Sequence, residues 1–108
     1  MKRGDIVGVT HKDNYGSKPR PALIIQADRF DAHRSVTLIP ITGELHDTPF
    51  LRIGIEPSPE NGLTKSSQIM IDKVTTAPKG KISAVFGKID DATLIQVNRS
   101  LGIFLGIF

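Results

Sequence analysis

The chain has 108 residues, which allows one domain with a single hydrophobic core and leaves no length for a second folded unit. It contains no cysteine, so disulfides, thiolate metal ligands and thiol nucleophiles are excluded, and no apolar run has the length of a membrane span. The formal net charge of +3 suits a polyanionic partner but is well below that of a protein that wraps duplex DNA.

The amino-terminal residues, Met1-Lys2-Arg3-Gly4-Asp5, lack the apolar segment of a signal peptide. Their composition predicts a cytoplasmic location. Short apolar segments follow, separated by clusters of Gly, Pro, Asn and Asp, which is typical of a small antiparallel sheet or barrel. We predict strands at residues 4–10, 20–27, 34–41, 50–56, 67–71 and 82–88.

The fourth and fifth predicted strands show which of their faces is buried. In the fourth, Leu51, Ile53 and Ile55 point one way, and their neighbours are polar or small. In the fifth, Ile69 and Ile71 are predicted to point into the core. Alternation then puts Gln68, Met70 and Asp72 together on the opposite face.

The apolar period changes from two to helical spacing near the carboxyl end, which predicts one amphipathic helix that closes the sheet. Asp90 or Asp91 is available as its N-cap. Leu101 and Phe104 are expected in the core. For Ile107 and Phe108 two alternatives stay open, burial within the chain or burial in a dimer partner or another protein. The residues at helical spacing are Leu94, Val97, Leu101, Phe104, Leu105 and Phe108.

The second predicted strand begins at an arginine held between two prolines, Pro19-Arg20-Pro21. Each proline locks its φ near −65° and cannot donate to a ladder, so Arg20 is held rigidly at the mouth of an apolar strand. A guanidinium stays charged and offers a planar fork of donors that matches phosphate oxygens. Arg20 therefore suggests a phosphate-handling site, and the alternative is a solvated charge at a strand end.

Other catalytic arrangements find little support in the sequence. His11, His33 and His46 are scattered, with no pair at helical ligand spacing, so we expect no bound metal. There is no Gly-x-Ser-x-Gly elbow and no glycine-rich phosphate loop. The remaining candidates for chemistry are Arg20, the hydroxyl of Thr42 and the carboxylate of Asp72.

Six features in a fixed order resemble the MazF/PemK toxins of bacterial toxin–antitoxin systems, and together they cover essentially the whole chain. They are Arg3-Gly4-Asp5-Ile6-Val7, Arg20-Pro21-Ala22-Leu23-Ile24-Ile25, Pro40-Ile41-Thr42-Gly43, Gly62-Leu63-Thr64-Lys65-Ser66, Ile71-Asp72-Lys73-Val74 and a final helix. Each motif alone is loose, but their order is specific.

The resemblance implies a single toxin domain over residues 1–108 with a mainly β, α+β fold. This fold is a small antiparallel SH3-like barrel or sheet closed by a C-terminal amphipathic helix. The implied activity is that of a metal-independent endoribonuclease without a cofactor, which cleaves single-stranded RNA through the 2′-hydroxyl and leaves a 2′,3′-cyclic phosphate and a 5′-hydroxyl. The implied partners are a second copy of the chain and a cognate antitoxin that occludes the RNA groove, with no membrane.

The resemblance also suggests roles for the three candidate residues. Arg20 would stabilise the phosphorane, and Thr42 would hydrogen-bond a phosphate oxygen or the attacking hydroxyl. Asp72 aligns with a carboxylate that acts in PemK-type enzymes, but Met70 stands where those enzymes carry an arginine. Asp72 is therefore either catalytic or a turn-forming aspartate, and His46 is a second candidate for the general base.

Binding of RNA is expected to depend on cations along the backbone and on two polar loops, residues 11–19 and 43–49. Few aromatic side chains are available for base stacking, since the chain has no Trp. The predicted RNA-binding residues are Lys12, Tyr15, Lys18, Arg29, His46 and Gln68.

Two alternative functions remain. The apolar Gly-Ile-Phe ending would suit a non-enzymatic gyrase poison resembling CcdB, which acts through its C-terminal helix. The other alternative is a catalytically inactive relative that only binds RNA.

Overall fold

The computed structural model describes residues 1–10 and 18–108. This part of the chain forms strands, short 3-10 helices and one α-helix at the carboxyl end. The strands are β1 Asp5–Val9, β2 Arg20–Ile24, β3 Ser35–Thr42, β4 Arg52–Ile55, β5 Ser67–Met70, β6 Thr75–Pro78 and β7 Ile82–Lys88, and the helix is α1 Asp91–Phe104. The 3-10 helices are Asp28–Phe30, Ile71–Lys73 and Lys79–Lys81.

All the strand pairs are antiparallel, and the order across the sheet is β4-β5-β3-β2-β1-β7. The eight residues of β3 are long enough for two partners on one edge, so β5 pairs near its carboxyl end and β6 pairs near its amino end. The outer strands β4 and β7 do not pair with each other in the described ranges. The fold is therefore an open antiparallel sheet with one helix, which confirms the predicted mainly β, α+β class.

The sheet is apolar on both faces. On one face a large cluster that includes Ile6, Leu23 and Ile39 packs against Val97 and Leu101 of α1. On the other face a smaller cluster is formed by Val7, Ala22, Ile24, Val36, Leu38 and Ala77. Full burial of one such large side chain stabilises the fold by about 1.5–3 kcal/mol. This two-sided burial explains why β2 and β3 are almost continuously apolar rather than alternating.

Arg3 joins the amino terminus to the sheet and the helix. Its main-chain N–H donates to Oδ1 of Asp28 at 2.7 Å. Its side chain donates to the carbonyl of Ile25 at 2.9 Å and to Oδ1 of Asn98 on α1 at 2.6 Å. These bonds hold the amino terminus against the helix that covers the core.

The structure differs from the predicted elements at β6 and in the strand boundaries. The sequence Thr75-Thr76-Ala77-Pro78 contains a proline and little apolar character, so periodicity does not reveal it. It forms a strand because it lies along an edge of β3, where Ala77 alone is buried. The strand β3 also extends to Thr42, and β5 ends at Met70, one residue earlier than predicted.

Asp90 is the N-cap of α1, as the sequence predicts. Its carboxylate accepts from the N–H of Thr93 at 3.1 Å and from the hydroxyl of Thr93 at 2.6 Å. These hydrogen bonds to Thr93 hold the pKa of Asp90 below its usual value, because they favour the charged form. Val97 and Leu101 are buried against the sheet, as the helical spacing predicts.

The prediction that Phe104 belongs to the core is wrong, since this side chain is 47% exposed. The helix ends there, one turn beyond Leu101, and Gly106 then takes a positive φ of 74° that reverses the chain. The N–H of Ile107 donates to the carbonyl of Gly102 at 2.8 Å, and the Phe108 ring lies against Gly102. Ile107 and Phe108 nevertheless stay largely exposed in the single chain.

Candidate functional site

A cleft of about 650 Å³ lies where the start of β2, the end of β3 and the segment before β5 meet. Three other depressions in the described part of the surface are smaller, with volumes of about 10, 390 and 450 Å³. Its lining combines apolar side chains with ionisable and hydroxyl groups, which include Arg20, Thr42, Glu44, Lys65 and Ser67. Such a mixed lining is typical of ligand sites.

The antiparallel register explains why Arg20 and Thr42 share this cleft. Ala22 of β2 pairs with Pro40 of β3. Because the strands are antiparallel, two residues back along β2 correspond to two residues forward along β3, which places Arg20 opposite Thr42. Arg20 also pairs with Val9 in β1, which keeps its main chain inside the ladder. The side chain of Arg20 is exposed and forms no hydrogen bond or ion pair with the residues of 1–10 and 18–108. Within these described residues, nothing therefore competes with an anionic ligand for the guanidinium.

The hydroxyl of Thr42 takes part in a tight turn at the end of β3. It accepts a hydrogen bond of 3.0 Å from the main-chain N–H of Glu44. Because the hydroxyl acts there as an acceptor, its own proton remains free to be donated to a ligand oxygen. The same turn brings Glu44 to the wall of the cleft.

Lys65 is a second cation in the cleft and is not among the site residues predicted from the sequence. Its side chain packs directly over Gly43, where a Cβ atom would lie only 2.6 Å from Nζ. The available signal was its place in Gly62-Leu63-Thr64-Lys65-Ser66, one of the motifs that carry the family resemblance. The absence of a side chain at Gly43 therefore leaves room for the lysine side chain in the cleft that Thr42 also lines.

The side chain of Gln68 is hydrogen-bonded to the main chain of His46, in the loop that follows Glu44. We call this pair of hydrogen bonds the Gln68–His46 clamp. Gln68 pairs with Thr42 in the β3–β5 ladder. Its Oε1 accepts from the N–H of His46, and its Nε2 donates to the carbonyl of His46, both at 2.9 Å. Gln68 therefore holds the loop 43–49 in position through its amide, and the imidazole of His46 takes no part in this clamp.

Asp72 does not line the cleft with Arg20 and Thr42. The predicted alternation required β5 to continue, but the strand ends at Met70 and the 3-10 helix Ile71–Lys73 follows. Oδ2 of Asp72 lies 4.0 Å from Nζ of Lys73, and Oδ1 is buried without a hydrogen-bond partner among the described residues. Met70 reaches the cleft wall, and the assignment of Asp72 as catalytic stays a prediction.

The predicted RNA-binding cations do not all lie near the cleft. Arg29 lies in the 3-10 helix Asp28–Phe30, at the opposite end of β2 and β3 from the cleft, and stacks over the Phe30 ring at 5.1 Å. The intervening strand spans about 16 Å, so Arg29 does not reach the cleft. Lys18 is exposed two residues before Arg20. Lys12 and Tyr15 lie outside the described residues.

The described residues contain neither a cluster of metal ligands nor a helix that could span a membrane. Within residues 1–10 and 18–108, no group of three or more His, Asp or Glu side chains could hold a metal ion. The helix α1 is too short and not apolar enough to cross a membrane. Both findings refer to the described residues alone.

Similar proteins were found among curated sequences and solved structures. The chain is 48% identical over 107 residues to a probable endoribonuclease MazF of Mycolicibacterium smegmatis, with 99% of this chain and 98% of that protein covered. A mycobacterial endoribonuclease solved with its cognate antitoxin superposes with a TM-score of 0.78 at 22% identity, covering 100% of this chain and 97% of that one. A MazE–MazF structure from Deinococcus radiodurans also gives 0.78, at 17% identity and 98% and 96% coverage.

The two structural matches show that the open sheet with its carboxyl-terminal helix is a MazF-type fold. A family model described as the PemK-like, MazF-like toxin of type II toxin–antitoxin systems matches residues 2–105. The cleft that holds Arg20 and Thr42 lies within the matched residues. On this match and on the similarity to the Mycolicibacterium protein, the chain belongs to the PemK-like, MazF-like toxins of type II toxin–antitoxin systems.

Proposed function

We propose that this toxin is a metal-independent endoribonuclease that cleaves single-stranded RNA by attack of the substrate's own 2′-hydroxyl. The observation that carries the proposal is the cleft in which the exposed side chain of Arg20 and the hydroxyl of Thr42 stand at adjacent strand ends. The relative with 48% identity is named as a probable endoribonuclease, which supports the same activity.

The cations of the cleft suit the charge that develops in this reaction. When the 2′-oxygen attacks, the phosphorus becomes pentacoordinate and its non-bridging oxygens gain negative charge. Arg20 would neutralise that charge with its planar fork of donors, and Lys65 would add a point charge beside it. Thr42 would donate its free hydroxyl proton to one of the phosphate oxygens. The products are a 2′,3′-cyclic phosphate and a 5′-hydroxyl, so DNA resists cleavage.

Binding of the RNA strand would follow from the open and cationic character of this edge. Lys18 lies beside Arg20, where it can contact a neighbouring phosphate, and such contacts add affinity without sequence choice. The loop 43–49, held by Gln68 at His46, offers main-chain and side-chain groups to unstacked bases. We assign sequence preference to this loop and to residues 11–19.

The partners of the toxin are proposed on the same basis. Two structural neighbours were solved with an antitoxin or with MazE, and we propose that a cognate antitoxin neutralises this chain as well. A flexible acidic segment that covers Arg20 and Lys65 would exclude RNA from the cleft. We further propose that the active form is a homodimer and that it acts in the cytoplasm, where messenger RNA is accessible.

A gyrase poison that acts through its carboxyl-terminal helix is the less supported function. The family match and the name of the Mycolicibacterium relative both favour the nuclease. A poison also has no use for a guanidinium paired with a hydroxyl in a cleft. An inactive RNA-binding relative is separated from the nuclease by one cleavage assay.

The assay incubates the purified protein with a long RNA in excess EDTA and maps the cut sites and the chemistry of the new ends. We expect discrete cuts with 2′,3′-cyclic phosphate and 5′-hydroxyl ends, and none in the same sequence made with 2′-deoxyribose at the mapped positions. Absence of cutting, or cutting that EDTA abolishes, would overturn the proposal.

A further inference from the structure

We propose that Glu44 is the general base of this reaction, which accepts the proton of the attacking 2′-hydroxyl. The inference rests on the proposed ribonuclease function and assigns a step that Asp72 and His46 had been predicted to perform. It starts from the composition of the cleft. Among the described residues, Glu44 is the one carboxylate in the lining.

The main chain of Glu44 is fixed on both sides. On one side its own N–H donates to Oγ1 of Thr42 at 3.0 Å. On the other side, two residues further along, His46 is held by the two hydrogen bonds from Gln68. Thr42 and Gln68 pair with each other across β3 and β5, so both anchors belong to one rung of the sheet. A base needs this kind of positioning, because proton transfer requires hydrogen-bond distance.

The charged groups around Glu44 indicate which of them would contact the phosphate and which the ribose. Glu44 shares the cleft lining with Arg20 from β2, with Lys65 from the segment before β5 and with Thr42 from β3. The ionisable imidazole of His46 follows on its own loop. The two cations and the hydroxyl suit the phosphate oxygens, whereas the carboxylate repels those oxygens and can accept a proton from a hydroxyl group. Its useful partner in the substrate is therefore the neighbouring ribose hydroxyl.

The proposed step is balanced in atoms and charge. The proton of the 2′-hydroxyl passes to the carboxylate of Glu44, and the 2′-oxygen forms a bond to phosphorus. The bond from phosphorus to the 5′-oxygen then breaks, and that oxygen takes a proton from water in the open cleft. Glu44 returns its proton to solvent, which restores the enzyme.

The first test is Glu44→Gln, which keeps the size of the side chain and the main-chain N–H to Thr42 but removes the base. We expect the single-turnover rate on RNA to fall by about 10²-fold or more, which is the usual contribution of a general base. Affinity for the 2′-deoxy analogue should stay within a few-fold of wild type. The acid limb of the pH–rate profile should disappear. Glu60→Gln, an exposed glutamate outside the cleft, is the matched control and should cleave normally.

The second test separates a general base from a general acid. In a substrate whose 5′-bridging oxygen is replaced by sulfur, the leaving group needs no proton. Loss of a base should therefore persist on this substrate, while loss of an acid would be rescued. Rescue of Glu44→Gln by the thio substrate would overturn the assignment.

Two other results would also overturn it. One is a Glu44→Gln variant that cleaves at the wild-type rate with an unchanged pH profile. The other is an acid limb that persists in Glu44→Gln and is lost in His46→Asn. In each case the wild-type protein still cuts RNA, so the proposed function stands. If the wild-type protein does not cut RNA in EDTA, the function itself has failed.

Discussion

The side-chain amide of Gln68 forms two hydrogen bonds of 2.9 Å with the main chain of His46. Gln68 donates one of them and accepts the other. An amide that donates and accepts in this way imitates one rung of a β-ladder. The last rung of β3 and β5 thus continues, through a side chain, into a loop that has no strand of its own. The loop edge of the cleft is consequently built by the sheet.

Replacing Gln68 with Met, which has a similar volume but cannot form the two bonds, should loosen this loop. We expect a loss of stability of about 1 kcal/mol, since solvent can replace exposed hydrogen bonds. We also expect a several-fold rise in KM and weaker preference among cut sites. Urea unfolding and cut-site mapping measure these changes. A variant with the wild-type cut pattern would show that the clamp does not position the loop.

Arg20→Ala should abolish most cleavage, with a loss of about 10²–10³-fold, because it removes the charge that meets the phosphorane. The side chain is exposed, so the melting temperature should change little. Arg20→Lys should recover only part of the rate, since an ammonium lacks the planar fork. Arg99→Ala on the exposed face of α1 controls for the loss of one positive charge. Full activity of Arg20→Ala in EDTA would remove Arg20 from the mechanism.

Gly43→Ala tests the position of Lys65 without touching its charge. The new Cβ would collide with the lysine side chain and displace its ammonium group from its place over residue 43. We expect cleavage to fall several-fold with little change in stability, because a lysine can move aside. Gly54→Ala is the control, since no atom lies within 4 Å of a Cβ there.

The double variant decides whether Gly43 acts through Lys65. Once Lys65→Ala is present, Gly43→Ala should have almost no additional effect on the rate. If the rate losses of Gly43→Ala and Lys65→Ala simply add, the contact between Gly43 and Lys65 is not the cause of the Gly43→Ala effect.

The N-cap of α1 predicts a pH dependence of stability. The pKa of Asp90 is lowered in the folded chain, so its contribution is present above the unfolded carboxyl value of 3.8 and is lost as the pH falls through the folded value. Asp90→Ala should therefore lower the melting temperature at pH 7, and the difference from wild type should shrink below about pH 4. Asp91→Ala, at the next position, provides the comparison. A constant difference at all pH values would contradict the assignment.

Deletion of Ile107 and Phe108 separates the nuclease from the gyrase-poison alternative. Both side chains are largely exposed, and Phe108 covers Gly102 at the end of the helix. We expect RNA cleavage to persist in the shortened chain, with a loss of stability or of self-association. Loss of toxicity together with undiminished RNA cleavage would instead indicate a target of the carboxyl end.

Periodicity and composition predicted most of the fold, because burial on one or two faces leaves a direct imprint on the order of apolar residues. Periodicity and composition predicted the approximate positions of most strands. They also predicted the N-cap Asp90 and the burial of Val97 and Leu101. The strand β6 is not, since Thr75-Thr76-Ala77-Pro78 is held by the free edge of β3 rather than by its own pattern. Phe104 also follows the pattern, but it lies beyond the part of the helix that the sheet covers.

The sequence by itself determined that Arg20 stands between two prolines and that the chain resembles a toxin family, because both follow from residue types and their order. Only the tertiary structure decided which groups meet. The β2–β3 register puts Arg20 level with Thr42, whereas the 3-10 helix after Met70 leaves Asp72 outside the cleft. The turn from Thr42 to Glu44 places Glu44 in the cleft. The space over Gly43 is occupied by the side chain of Lys65. Such contacts depend on strand register and turn geometry, which no local pattern of residues specifies.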